Sequence, residues 1–146
     1  MANLEKPPEQ PAGSGASDDV YIADNPTSFV GQRVGDGECV AYVRAACPAL
    51  PNTHQWKKGV ATKGGNLLSG TIIATFRGSD GGYNASDGLQ HAAVFLSETP
   101  AGLVVLDQFN AHGNNPGQPV QQRALRYANP SSPVNDGNQF YAILKV

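Results

Sequence analysis

Gly35-Asp36-Gly37-Glu38-Cys39-Val40-Ala41-Tyr42-Val43-Arg44-Ala45-Ala46-Cys47 is the stretch on which the reading of the fold turns. Gly35, Asp36 and Gly37 are poor helix-interior residues and good entry residues, and the run from Glu38 is rich in apolar side chains of helical character. This predicts a helix with Cys39 in its first turn, where unpaired backbone N–H groups and the macrodipole favour an anion. A thiol in that position has its pKa lowered toward neutrality, as a cysteine nucleophile requires. The competing reading is a small, inert core residue, the commoner fate of a free cysteine. Pro48 and Pro51 stop the helix. Cys47 follows eight residues after Cys39, about 12 Å along a helix, which is too far for a disulfide. Both cysteines are expected to be free thiols.

The 146 residues suffice for one domain with one core, and 17 Gly with 11 Pro imply many turns. The net charge is -2, and Lys and Arg nowhere cluster, which argues against a nucleic-acid partner. No apolar run approaches the roughly 20 residues that cross a bilayer, so membrane insertion is not expected. Met1 to Pro11 lack the apolar region of a signal peptide. The expectation is cytoplasmic synthesis without a signal peptide, any export taking a signal-independent route. Residues 1–19 read as a disordered tail of Pro, Glu, Gln, Gly and Ser, and residues 20–146 as a single domain.

Val20-Tyr21-Ile22 reads as a short strand and Asn25-Pro26-Thr27-Ser28 as a capped turn. Beyond the helix, Asn52 to Leu68 reads as loop because of Gly59, Gly64 and Gly65. Thr71 to Phe76 is a strand of β-branched and aromatic residues. Arg77 to Gln90 is a mobile Gly/Ser/Asp/Asn rim. His91 to Ser97 and Leu103 to Phe109 form a hairpin across Thr99-Pro100-Ala101-Gly102. Asn110 to Pro119 and Pro130 to Asn138 are loops flanking a strand at Val120 to Tyr127, and Gln139 to Val146 closes the sheet. A helix followed by hairpin-linked strands is an α+β fold with an antiparallel sheet.

A nucleophilic Cys39 needs a base, and the histidines are His54, His91 and His112. His91 opens an apolar strand directly after a polar loop, which puts a rigidly held imidazole at a sheet end. His54 and His112 lie in Pro/Gly/Asn-rich loops and read as surface histidines. A third group would accept the other N–H of the base. Asp107 and Gln108 are the candidates: alternation puts Gln108 and Asn110 on one face of the strand and Asp107 on the other. Asp107 is the stronger acceptor by charge. Trp56 and Tyr83 fall in loops where aromatic rings line a substrate groove, although a lone Trp is more often core. Gly78-Ser79-Asp80-Gly81-Gly82 lacks the Lys-Ser/Thr of a phosphate loop. The cysteines and histidines do not fall at zinc-ligand spacings, so neither metal nor cofactor is expected.

Gly37-Glu38-Cys39-Val40-Ala41-Tyr42-Val43 resembles the nucleophile helix of CHAP and NlpC/P60 domains, the bacterial papain-like amidases and peptidases. The likeness extends over about residues 31–112 through the order of Cys39, Ile72 to Phe76, the glycine-rich loop, His91 and Leu106 to Asn110. It implies a papain-like α+β fold, its N-terminal helix packed on about four to six antiparallel strands. It further implies a Cys39–His91 dyad, with peptidoglycan stem peptides as the substrate class. CHAP domains carry Glu-x-Asn where this chain has Gln108 and Asn110; by that correspondence Gln108 orients the histidine, with Asp107 as the substitute. Trp56, Tyr83 and Asn110 are the expected substrate contacts. A short enzyme of this kind is also similar to the amidase effectors injected into rival cells, which act in a periplasm and are paired with an immunity protein. Two other readings share the fold: a binding module without catalysis, and a deamidase or transglutaminase-like enzyme.

Overall fold

The computed structural model describes residues 19–85, 89–114, 116–130 and 132–145. Apart from Asp19, the expected tail lies outside them. Among the described residues one α-helix, α1 (Cys39–Ala46), precedes six strands: β1 (Lys57–Ala61), β2 (Ile72–Thr75), β3 (Ala92–Glu98), β4 (Gly102–Phe109), β5 (Gln118–Arg126) and β6 (Phe140–Leu144). They form one antiparallel sheet in the order β1-β6-β2-β3-β4-β5.

Helix α1 buries Cys39, Tyr42, Val43 and Ala46, the i, i+3, i+4, i+7 stripe of one helical face. The stripe packs on Ile72, Ala74, Ala92, Val94 and Leu106. Burying a side chain such as Val43 stabilises the packing by about 1.5–3 kcal/mol. On the opposite side of the sheet Ile73, Ala93, Phe95, Leu103, Val105, Leu125 and Phe140 form a second cluster. The strands between them are buried on both sides, which is why β2 and the start of β3 read as unbroken apolar runs.

Strand β1 corrects the expectation of a loop at Asn52 to Leu68. Its side chains are exposed or half-buried, it carries Gly59, and it pairs with β6 through a bulge. An edge strand guarded by Lys57 and Lys58 has no apolar alternation to betray it. Val20 and Ile22 make only isolated bridges, to Leu144 and Thr71. Pro26–Phe29 forms a short 3-10 turn that the side chain of Asn25 does not cap. Cys47 is the C-cap of α1, and both cysteines are free thiols.

Candidate active site

The helix starts where the sequence places it, and Asp36 Oδ1 accepts the N–H of its N-cap residue (3.0 Å). Glu38 is the N-cap with extended backbone, its side chain caps nothing, and no acidic residue follows in the first turn. No side chain of the N-cap residue claims the N–H groups that follow Glu38, that of Cys39 first among them, and these favour an anion. The approach to the helix is tight: Gly37 has φ +86°, and a Cβ there would collide with Asn110 and Arg33.

His91 immediately precedes β3 and is tied to β2, its N–H donating to Thr75 Oγ1 (3.0 Å) and its C=O accepting from the Thr75 N–H (3.0 Å). The ring is buried between Phe109 and Phe140, centroids 6.3 Å from each. Its Nε2 lies 2.7 Å from Asp107 Oδ2. That contact leaves Nδ1 for the thiol of Cys39, the imidazole's other hydrogen-bond partner. Asp107 is wholly buried, and Arg123 meets its carboxylate from β5 through Nε (3.0 Å to Oδ1) and Nη2 (2.6 Å to Oδ2). Gln118 Nε2 donates to Oδ1 as well (3.2 Å).

The electrostatics follow from this packing. Burial pushes the Cys39 thiol up, yet the His91 cation and its hydrogen bond, helped by the Ala92 backbone and the Tyr83 hydroxyl, bring it below its ordinary value. Burial disfavours the His91 cation too, but the Cys39 thiolate and Asp107 outweigh it and raise the imidazole to about 9. Asp107 is held low against burial by its hydrogen bonds to His91 and Arg123. The arrangement favours a thiolate–imidazolium pair backed by a carboxylate.

The structure brings Cys39, His91 and Asp107 together. Gln108, expected by position to orient His91, faces the helix side of the sheet with Leu106 and makes its hydrogen bonds to Val34 and Glu38. The correction follows from register: His91 leans to the face that carries Asp107. Asn110 shares the Gln108 face and donates to Asp36 O (3.0 Å) while accepting from Arg33. Tyr83 is buried in the supposed rim, wedged between Trp56 and Phe76, with its hydroxyl 3.7 Å from Cys39 Sγ. Trp56 is a core residue whose indole N–H donates to Pro51 O (2.9 Å).

A cavity of about 360 Å³ opens beside Cys39 and His91, walled by Phe109, Asn110, His112, Arg123 and Asn135. Trp56 and Tyr83 are not on its wall; they border a separate cavity with the exposed His54. Arg123 is the residue that sequence reasoning missed. Nothing local distinguishes an arginine in a polar strand; its role depends on the β4–β5 register, which sets it diagonally across from Asp107. No group of three or more metal-ligating side chains occurs among the described residues.

A cysteine at a helix start, a histidine at a strand end and a buried carboxylate meet in this α+β fold, an arrangement that suits nucleophilic acyl chemistry. The family described as "Dae2: Domesticated amidase effector 2" matches residues 14–143, and the chain belongs to it. Domesticated amidase effector 2 of Ixodes scapularis is 35% identical over 138 residues, 90% of this chain and 89% of the relative. A type VI secretion amidase effector 2 protein of Salmonella typhi is 35% identical over 83 residues, 56% of this chain and 59% of the relative. The solved structure of type 6 secretion amidase effector 2 (Tae2) shares the fold, with a TM-score of 0.70 at 24% identity over 86% of this chain and 96% of that one.

Proposed function

We propose that the chain is a papain-like cysteine amidase that hydrolyses amide bonds of peptidoglycan stem peptides. The observation that carries this reading is geometric: Cys39 opens α1 beside the buried imidazole of His91, whose Nε2 lies 2.7 Å from the wholly buried Asp107 carboxylate. In the proposed reaction the Cys39 thiolate attacks the amide carbonyl carbon. The backbone N–H of Cys39, without an intrahelical partner at the helix start, holds the developing oxyanion. Protonated His91 gives its proton from Nδ1 to the departing amine, and the C–N bond breaks to leave a thioester. His91, now neutral, takes a proton from water, whose oxygen attacks the thioester; the C–S bond breaks, releasing the carboxylic acid and restoring the Cys39 thiolate beside protonated His91. Asp107 keeps the imidazole oriented and its cation favourable.

The relatives are named amidase effectors, two of them of type VI or type 6 secretion. On that basis we place the activity in a target cell's periplasm, restrained in the producing cell by an immunity protein. Two measurements test the proposal. The pH dependence of Cys39 alkylation by iodoacetamide, in a Cys47→Ala background, should give a pKa below the free-thiol value of about 8.5 that rises in His91→Ala. Purified peptidoglycan should release new amino and carboxyl ends with wild type and none with Cys39→Ala. An unshifted thiol indifferent to His91 would mean that the fold serves binding instead.

A further inference from the structure

We propose that Gln108 is the positioning residue of the nucleophile: its side-chain amide fixes the turn that presents Cys39, a task a glutamate cannot perform. The inference rests on Cys39 as the nucleophile. Gln108 is wholly buried on the helix side of β4. Its Oε1 accepts the Val34 N–H (2.8 Å), and its Nε2 donates to Val34 O (2.8 Å) and to Glu38 O (2.8 Å). The amide thus treats Val34 as a neighbouring strand would, satisfying its N–H and C=O together. The remaining Nε2 hydrogen seizes the carbonyl one residue before Cys39.

Both donors of the amide are used, and both point at carbonyl oxygens. A carboxylate would set an oxygen against those two carbonyls, burying a charge met by the Val34 N–H alone. The glutamine is therefore no weakened version of a histidine-orienting glutamate. Asn110, two residues along the same face, extends the grip by donating to Asp36 O (3.0 Å). Gly37, between these anchors, sits at φ +86°. The turn from Val34 to Glu38 is held at its start and end by Gln108 of β4 and in its middle by Asn110 just beyond that strand, which also carries Asp107.

Gln108→Glu separates the alternatives. An orienter of His91 would tolerate a carboxylate or improve with it. A clamp loses all but one of its hydrogen bonds, and the displaced thiol loses His91. In Gln108→Glu the pKa of Cys39 alkylation should rise by about one unit. On purified peptidoglycan kcat should fall roughly 100-fold with KM little changed, the order of loss for a misplacement near 1 Å. Gln108→Met, which adds no charge, should show the same direction and carries the test if the glutamate variant does not fold. Wild-type alkylation and kcat in either folded variant would overturn the inference. An ordinary thiol pKa in the wild-type protein would instead overturn the nucleophile reading on which it rests.

Discussion

Asp107 and Gln108 are chain neighbours that hold opposite halves of the site. The Asp107 carboxylate grips His91 at 2.7 Å on the face of β4 away from α1, while the Gln108 amide grips Val34 and Glu38 on the face toward it. Two successive residues of one rigid strand thereby hold His91 and the turn that leads into Cys39. Asp107→Asn keeps the shape and removes the charge. It should lower the His91 pKa, raise that of Cys39 and cut kcat/KM by roughly 10²–10⁴-fold. Alkylation and turnover measured on the same preparation check both parts.

The pH profile of kcat/KM should be bell-shaped. His91 is raised to about 9, so its proton is available below that pH and lost above it, which puts the alkaline limb near 9. The acid limb reports protonation of Cys39 and falls below the ordinary thiol range. The linkage sign for stability is the same at the alkaline end. A group whose folded pKa is raised contributes fully below its unfolded value of about 6.5 and loses that contribution as pH climbs through the folded value. The lowered Cys39 acts in the opposite sense over the same range, so thermal midpoints should change little from neutral pH to about 8.5 and drop as His91 loses its proton near 9, a drop that His91→Gln should remove.

Arg123 shares Asp107 with His91, so its removal has a direction that can be read. Arg123→Met leaves the buried carboxylate to His91 and Gln118, which should cost about 3 kcal/mol measured by urea unfolding. With one cation gone, Asp107 attracts the His91 proton more strongly, and the alkaline limb of kcat/KM should move up. Asp107 is now held low less effectively. Its stabilisation, present above its unfolded pKa and lost as pH falls through the folded one, should fade at a higher pH than in wild type. Arg123→Lys, keeping a cation without the fork, should lie between.

How much of this was legible in the chain depended on how local each signal was. The helix start at Cys39 and the strand that His91 opens are written in adjacent residues, and both stand where the sequence puts them. The pairing of His91 with Asp107 was open between two faces, because alternation along β4 does not reveal which face the imidazole leans toward. Arg123 reaches Asp107 only through the β4–β5 register, and β1 hides its pairing behind lysines and a glycine. Tyr83 looked like part of a mobile rim because its neighbours are Gly, Asp and Asn. Its burial comes from Trp56 and Phe76, distant in sequence.

Tyr83 offers the narrowest test of the thiolate. Burial, with Cys39 and Glu38 as neighbouring charges, raises its hydroxyl far above the ordinary phenol range, so the proton stays on oxygen across the working pH. The hydroxyl faces Sγ at 3.7 Å and favours the thiolate by donating to it. Tyr83→Phe keeps the ring against Trp56, at 4.8 Å between centroids, so the thermal midpoint should barely change. The acid limb of Cys39 alkylation should move up by about half a unit, with the limb set by His91 left in place. Movement of both limbs together would mean that the ring had shifted and the whole pair with it. An acid limb that stays put would mean that the thiolate draws its stability from His91, the Ala92 backbone and the helix start, without the phenol.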